Sequence, residues 1–371
     1  MSGESVQPSE TPLSAFGDAL FEHPACWRGG ISPAGLPGFE RSLSEAQRRA
    51  WRAALDTSGP LAPELEALAL ELGRALEQGP GAVRLRGAPV EDLDDDACGR
   101  LFERLMRRVG HPVSQTADGR RLFPVRDAGF GQTDARARGP NSRRGLSFHT
   151  DRCDVIAFLT VRPAQTGGIS RLVSSLHLLR CLRDEHPEAL RELTRPFFWK
   201  THNVDTGNAR PWFRQPVAAV VEGRPVFNLL RVLIDRAHAL DEVPDLTDSQ
   251  RAALDLVESL AREPGSQIAF RMEPGDVLLV NNLVCLHSRD AFEDADDRAE
   301  SRLLWRLWLA TPESRRLPES YRGGYGAVEP GVIRGGMWPA GERERGPVII
   351  PGRAEQAPVA GGPGDQESSE G

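Results

Sequence analysis

A His-x-Asp pair at His149-Thr150-Asp151, a solitary His287 lying 136 positions beyond Asp151, and an arginine pair at Arg302 and Arg306 follow one another along the chain. Two imidazoles and one carboxylate can hold one face of an iron(II) ion and leave the opposite positions open for a cosubstrate and oxygen. On an extended segment residues i and i+2 project to the same face, so His149 and Asp151 can reach a single ion. The two arginines offer a forked donor for a carboxylate. In this order the residues point to an oxygen-activating iron enzyme that consumes a 2-oxo acid.

Competing assignments are weaker. In His186-Pro187-Glu188, Pro187 suits a first helical position and Glu188 a first-turn acid, which reads as structure rather than ligation. His23, His111, His177, His202 and His238 lack the setting of His287, which follows a Pro-Gly-Asp turn and an apolar strand. The same three ligands could hold zinc or nickel by raw affinity. A dedicated carboxylate holder favours iron with a 2-oxo acid, because a zinc hydrolase needs a base and an oxyanion donor instead. Arg302 and Arg306 are four apart, a spacing shared by one side of a strand and one side of a helix. The preceding turn favours a strand, with Arg302, Leu304, Arg306 and Trp308 on one face and Leu303, Trp305, Leu307 and Leu309 on the other. Buried there, the arginines need anionic partners, either a ligand or internal Asp and Glu side chains.

Four segments carry a family resemblance: Leu146 to Asp151 (LSFHTD), Thr166 to Ser170 (TGGIS), Pro274 to His287 (PGDVLLVNNLVCLH) and Ser301 to Leu309 (SRLLWRLWL). In this order, and over about Gly81 to Ala310, the chain resembles the TauD/TfdA family of iron(II)- and 2-oxoglutarate-dependent oxygenases. The resemblance implies a mainly β fold with flanking helices around a double-stranded β-helix, the cupin-like jelly roll. It implies that His149, Asp151 and His287 bind Fe(II), and that Arg302 binds the far carboxylate of 2-oxoglutarate. Arg306 would sit close by, within reach of substrate or cosubstrate, and the Ser170 hydroxyl would contact 2-oxoglutarate. The family often has Thr at that last position, and either hydroxyl can donate. The resemblance also implies O2 as the oxidant, with Asp151 favouring hydroxylation, since a halogenating relative leaves that position small.

Length and charge set further bounds. The 371 residues suit one catalytic domain over 41–352, between an irregular arm (1–40) that packs only in part and a disordered tail (353–371). The net charge of -7 with interspersed signs gives no basic field for nucleic acid, and no stretch is apolar enough for a membrane. Five cysteines without a C-x-x-C pair argue against a disulfide framework and suit a reducing cytoplasm. Lysine occurs only at Lys200, so an arginine carries meaning by position and not by type.

The patterning predicts helices from Ser42 with Glu45 as its capping-box partner, from Pro63, over Asp92 to Gly110, over His177 to Leu193, and over Leu246 to Ala261. Gln267 to Met272 and Val277 to Val280, joined by Glu273-Pro274-Gly275, read as a hairpin. Gly129 to Gly145 loses apolar periodicity directly before the His-x-Asp pair and reads as a lid or a solvated loop. Arg143, Arg144, Arg152, Asn228 and Arg231 are nearby candidates for contact with a small anionic or zwitterionic substrate. Rival readings are a jelly-roll binding protein without chemistry and a metal-dependent hydrolase. The oligomeric state is not legible.

Overall fold

Two β-sheets frame the protein in a computed structural model that describes residues 11–129, 139–201, 210–295 and 297–351. The larger sheet has seven strands, in the order Glu40–Ser42, Ala82–Arg86, Val277–Asn281, Val155–Arg162, Leu303–Ala310 and His111–Val113, with Phe123–Val125 also pairing to Leu303–Ala310. The smaller sheet has four strands, ordered Gln267–Phe270, Ser170–Ser174, Cys285–Arg289 and Leu146–His149.

Alternation along the strands decides what packs where. Val83, Leu85, Leu159, Val277, Leu279, Leu303, Leu307 and Leu309 turn one face of the larger sheet toward the helices Glu45–Ala53, Pro63–Gln78 and Asp95–Val109, where Trp51, Leu65, Leu72, Leu101 and Phe102 are buried. Ile156, Leu278, Val280 and Trp308 face the other way and meet Leu172, Ile268 and Phe270 of the smaller sheet. The far side of the smaller sheet, through Phe148, Val173 and Leu286, packs on the helices Ser175–Glu185, Pro187–Leu193 and Asp248–Arg262. The order is helices, sheet, sheet, helices. Each fully buried Leu or Phe contributes roughly 1.5–3 kcal/mol relative to exposure, so these interfaces hold the frame.

Three expectations are corrected. The first capping box is Ser44 with Gln47, because Ser42 ends a strand and Glu45 is already the first helical residue. The Pro-Gly turn does not make a hairpin: Gln267–Phe270 pairs with Ser170–Ser174 in the smaller sheet, whereas Val277–Asn281 pairs with Ala82–Arg86 and Val155–Arg162 in the larger. The turn switches the chain between sheets, and a local pattern cannot show which partner each strand will find. The helix expected over 177–193 is two, Ser175–Glu185 and Pro187–Leu193, since Pro187 lacks the N–H that would continue the first.

Residues 11–39 hold only short helical turns, yet Phe16, Leu20, Ala25, Trp27, Leu36 and Phe39 are buried, more than a partly packed arm implies. Residues 1–10 and the tail from 352 lie outside the described residues. All five cysteines are free. No described helix is long and apolar enough to cross a membrane.

Candidate metal centre

His149 ends its strand and is the cross-strand partner of His287 in the neighbouring antiparallel strand. The two rings stand 4.3 Å apart between centroids. His149 Nδ1 lies 2.8 Å from the Ser147 carbonyl oxygen, so Nδ1 carries the proton and Nε2 keeps a lone pair for a metal. His287 Nε2 is 3.8 Å from Asp151 Oδ2.

Asp151 lies two residues beyond the strand, and its placement depends on a mesh of hydrogen bonds. Thr150 N–H donates to the Leu229 carbonyl at 2.8 Å. The Thr150 hydroxyl oxygen accepts from Leu229 N–H at 3.0 Å and from Asn228 Nδ2 at 2.9 Å. Asp151 N–H donates to Asn282 Oδ1 at 2.9 Å. The carboxylate is thereby turned to the histidines while the backbone is fixed from two sides.

One ligand atom from each of His149, Asp151 and His287 lies within 4.8 Å of the other two, the one such group among the described residues. Ligands on one face of an ion at ~2.1 Å stand roughly 3 Å apart, so small side-chain rotations would close the set. Asp151 Oδ2 and His287 Nδ1 are buried without a hydrogen-bond partner. A buried carboxylate oxygen aimed at two imidazoles with no hydrogen-bond partner of its own fits a cation.

The electrostatics agree with ligation. Burial pushes the Asp151 carboxyl up, but His149, Arg306, His287 and the Trp308 indole together outweigh it and leave it below the ordinary range. Burial, helped by His149 and Arg306 and opposed by Asp151, pulls His287 down to about 3. Both groups are thus in the deprotonated form that a metal requires.

Arg302 immediately precedes the strand Leu303–Ala310 and is 6% exposed. Its Nη1 is buried without a partner, its backbone N–H donates to Asp294 Oδ1 at 2.6 Å, and its guanidinium carbon lies 5.0 Å from the centre of the Phe292 ring. Burial and the Arg289 guanidinium, opposed by Asp294, lower it to about 9, which leaves it charged at neutral pH. Arg306 Nε donates to Gln115 Oε1 at 2.5 Å, and its guanidinium lies over Phe123 and Trp308. Within 4 Å, neither arginine pairs with a carboxylate among the described residues, which weighs against the internal-pairing alternative.

Ser170 is half-buried at the head of its strand, after Gly167 and Gly168, both with positive φ. A Cβ on Gly167 would stand 2.3 Å from the Ala291 carbonyl oxygen, so only glycine lets this turn approach the Phe292 segment.

The nearby candidates divide. Arg231 is tied to Asp235 and Asp255, Arg143 pairs with Asp127, and Asn228 is buried beneath Thr150. These three have structural duties. The Arg144 carbonyl accepts from Arg289, and the Arg152 carbonyl accepts from Gly336 N–H at 2.7 Å. Of the expected lid, residues 130–138 lie outside the described residues. Pro187 opens its helix, and Glu188 pairs with Arg191.

Sequence reasoning did not single out Arg289 or Asn282, which the structure brings beside the group. Arg289 is two positions beyond His287 on the same strand, so alternation alone would have marked it.

Residues 43–308 match the Taurine catabolism dioxygenase TauD, TfdA family, and the chain belongs to it. It is 30% identical over 251 residues to FR-33289 synthase of Streptomyces rubellomurinus (strain ATCC 31215), covering 66% of this chain and 73% of that protein. It is 27% identical over 168 residues to the taurine hydroxylase-like protein SAT17 of Stachybotrys chartarum (strain CBS 109288 / IBT 7711), covering 44% and 41%. Among solved structures it is similar to asparagine oxygenase in complex with Fe(II), 2S,3S-3-hydroxyasparagine and succinate, with a TM-score of 0.57, 18% identity, and coverage of 74% of this chain and 94% of that one. The non-heme iron oxygenase OrfP with Fe and alpha-ketoglutaric acid aligns at a TM-score of 0.52 and 17% identity, covering 73% and 94%.

Proposed function

We propose that this protein is an iron(II)- and 2-oxoglutarate-dependent dioxygenase that hydroxylates an unactivated C–H bond of a small anionic or zwitterionic molecule, an amino acid or a natural-product intermediate. Membership of the dioxygenase family supports the chemistry. The hydroxylated amino acid bound to asparagine oxygenase supports the substrate class. The observation that carries the reading is the coincidence of a His-Asp-His group, its carboxylate buried, with a buried arginine, Arg302, whose Nη1 has no partner.

In this reading His149 Nε2, the Asp151 carboxylate and His287 hold iron(II). Bound iron would supply open positions for 2-oxoglutarate and O2, with one oxygen atom passing to the substrate C–H bond and the other to succinate as carbon dioxide leaves. Arg302 takes the far carboxylate of the cosubstrate, with the Ser170 hydroxyl as a second donor. Arg306, braced by Gln115, holds positive charge beside Asp151 and is placed toward substrate or cosubstrate. The two facing sheets belong to a double-stranded β-helix, and the catalytic unit spans 41–352. Free cysteines support a reducing cytoplasm as its compartment.

Anaerobic titration of the purified protein with iron(II) and then 2-oxoglutarate tests this. A weak visible charge-transfer band is expected, lost in His149→Ala, Asp151→Ala and His287→Ala and kept in His186→Ala. Succinate release on a metabolite library would then report the substrate. Turnover that needs neither O2 nor 2-oxoglutarate would overturn the assignment.

A further inference from the structure

Arg289 is a buried charged group near the site with no duty in the reading above. It is 7% exposed, its Nε is buried without a partner, and its Nη2 donates to two backbone carbonyls, those of Ser142 at 2.9 Å and of Arg144. Among the described residues no carboxylate comes within 4 Å of its guanidinium. Asp127 acts on it from a greater distance while paired to Arg143.

Its position in the sheet is informative. Arg289 is the cross-strand partner of Ser170, and two residues along the same strand stands His287. Directly opposed residues, and residues two apart, share a sheet face. His287, Arg289 and Ser170 therefore share the face on which the cosubstrate is to bind. The guanidinium carbons of Arg289 and Arg302 lie over one ring, Phe292, at 4.7 and 5.0 Å from its centre. The two charges are then at most about 10 Å apart, close enough to interact through a partly desolvated site.

Phe292 itself is held by the turn that presents Ser170, pairing in register with Gly167, and its N–H donates to the Arg143 carbonyl at 3.1 Å. Two buried cations lie over one aromatic ring, and Asp294, the carboxylate acting on Arg302, spends Oδ1 on the backbone N–H groups of Arg302 and Ala295. Such an arrangement is relieved by an incoming anion.

We propose that Arg289 is a positioning residue of the cosubstrate anchor: acting with Arg302 through Phe292, it supplies the second positive charge that favours a dicarboxylic 2-oxo acid over a monocarboxylic one. This rests on the 2-oxoglutarate reading above. The role goes beyond holding up a loop, because the preference for the far carboxylate is its product. A purely structural Arg289 would support any 2-oxo acid equally.

The test compares 2-oxoglutarate with 2-oxopentanoate, in which a methyl group replaces the far carboxylate. Affinities are read from the charge-transfer band of the iron(II)-loaded protein without oxygen and checked by calorimetry under argon. Arg289→Gln and Arg289→Met should each weaken 2-oxoglutarate roughly tenfold, as expected for loss of one charge at this range, and change 2-oxopentanoate by less than about twofold. Arg289→Lys, which keeps the charge, should retain most of the preference. Two neutral variants are made so that one folded protein suffices. Equal weakening of both acids, or unchanged 2-oxoglutarate affinity, overturns the proposal. A wild-type protein that binds iron(II) but neither acid overturns instead the cosubstrate assignment on which it stands.

Discussion

Asn282 accepts the backbone N–H of Asp151 through its side-chain oxygen at 2.9 Å, across 131 positions of sequence. Its Nδ2 donates to Cys153 Sγ at 3.2 Å, so one buried amide braces the chain at Asp151 and again two residues on. The neighbouring Asn281 does the same for the helix Pro63–Gln78, donating to the Leu76 carbonyl and Glu77 Oε2, each at 3.0 Å. The two asparagines thus couple Asp151 to the strand that leads to His287.

Asn282→Ala should therefore weaken iron(II) binding while leaving all three ligand side chains in place. Groups that orient ligands typically account for 10- to 100-fold in metal affinity, and a loss within about that range is expected here. Anaerobic competition against a chelator measures it. Unchanged affinity would show that the Thr150 bonds alone hold Asp151.

How much of this was legible follows from what each signal depends on. That His149, Asp151 and His287 come together was readable because ligand chemistry restricts residue type and strand alternation restricts spacing. Arg302, expected on the strand that carries Arg306, lies just before its first residue, whereas that strand itself was readable from its apolar flanks. The fate of Gln267–Phe270 was not, since its partner Ser170–Ser174 lies far back in the chain and a turn signature carries no information about sheet identity. Asn282 was equally hidden: a polar residue after an apolar strand looks like a strand end until the loop it braces is in place. Burial of Phe16, Trp27 and Phe39 was masked by the Gly, Pro and Ser around them, which predict irregular backbone and say nothing of packing.

Thr150 makes a second test of the same loop. Its hydroxyl oxygen is the acceptor for Leu229 N–H and Asn228 Nδ2, both buried. Thr150→Val keeps the shape and strands two donors, at a cost of roughly 1–3 kcal/mol for each buried group left unpaired. A fall of about 2–6 kcal/mol in urea unfolding of the metal-free protein is expected, by that estimate, with Thr150→Ser close to wild type. Equal stability of the Val and Ser variants would mean that water replaces the hydroxyl.

Acid sensitivity should arise at Asp95. Arg162 donates to both oxygens of Asp95, at 2.6 and 2.9 Å, and through Nε to the Ser301 carbonyl at 3.1 Å, directly before Arg302. The Arg162 hydrogen bond holds the Asp95 carboxyl below its ordinary 3.8 despite partial burial. The sign follows: the stability this pair contributes is complete above about pH 3.8 and is lost as pH falls through the lower folded-state value. Because both side chains are partly exposed, the contribution is ~1 kcal/mol or less. Asp95→Asn should be less stable than wild type at pH 7, with the gap narrowing below pH ~3.8. A gap that stays constant from pH 7 to pH ~3 would remove the ion pair as its cause.

Arg302 carries the last prediction. With Nη1 buried and unpartnered and no carboxylate within 4 Å among the described residues, its guanidinium has hydrogen-bonding capacity that the protein itself leaves unused. A forked pair of bonds to the far carboxylate would use that capacity, and truncating one partner of such a desolvated pair typically costs about 2–5 kcal/mol, or roughly thirty- to several-thousand-fold in affinity. Arg302→Ala should weaken 2-oxoglutarate by at least the lower factor while iron(II) still binds, because the triad stands on other strands and loops. Arg302→Lys should recover only part, since an ammonium cannot reproduce the planar fork. Arg306→Ala should cost less for 2-oxoglutarate, its Nε being already committed to Gln115. Calorimetry under argon on the four proteins separates these outcomes. Wild-type affinity in Arg302→Ala would take the clamp out of the argument, and with it the physical reason for preferring a 2-oxo acid to any other ligand of the metal.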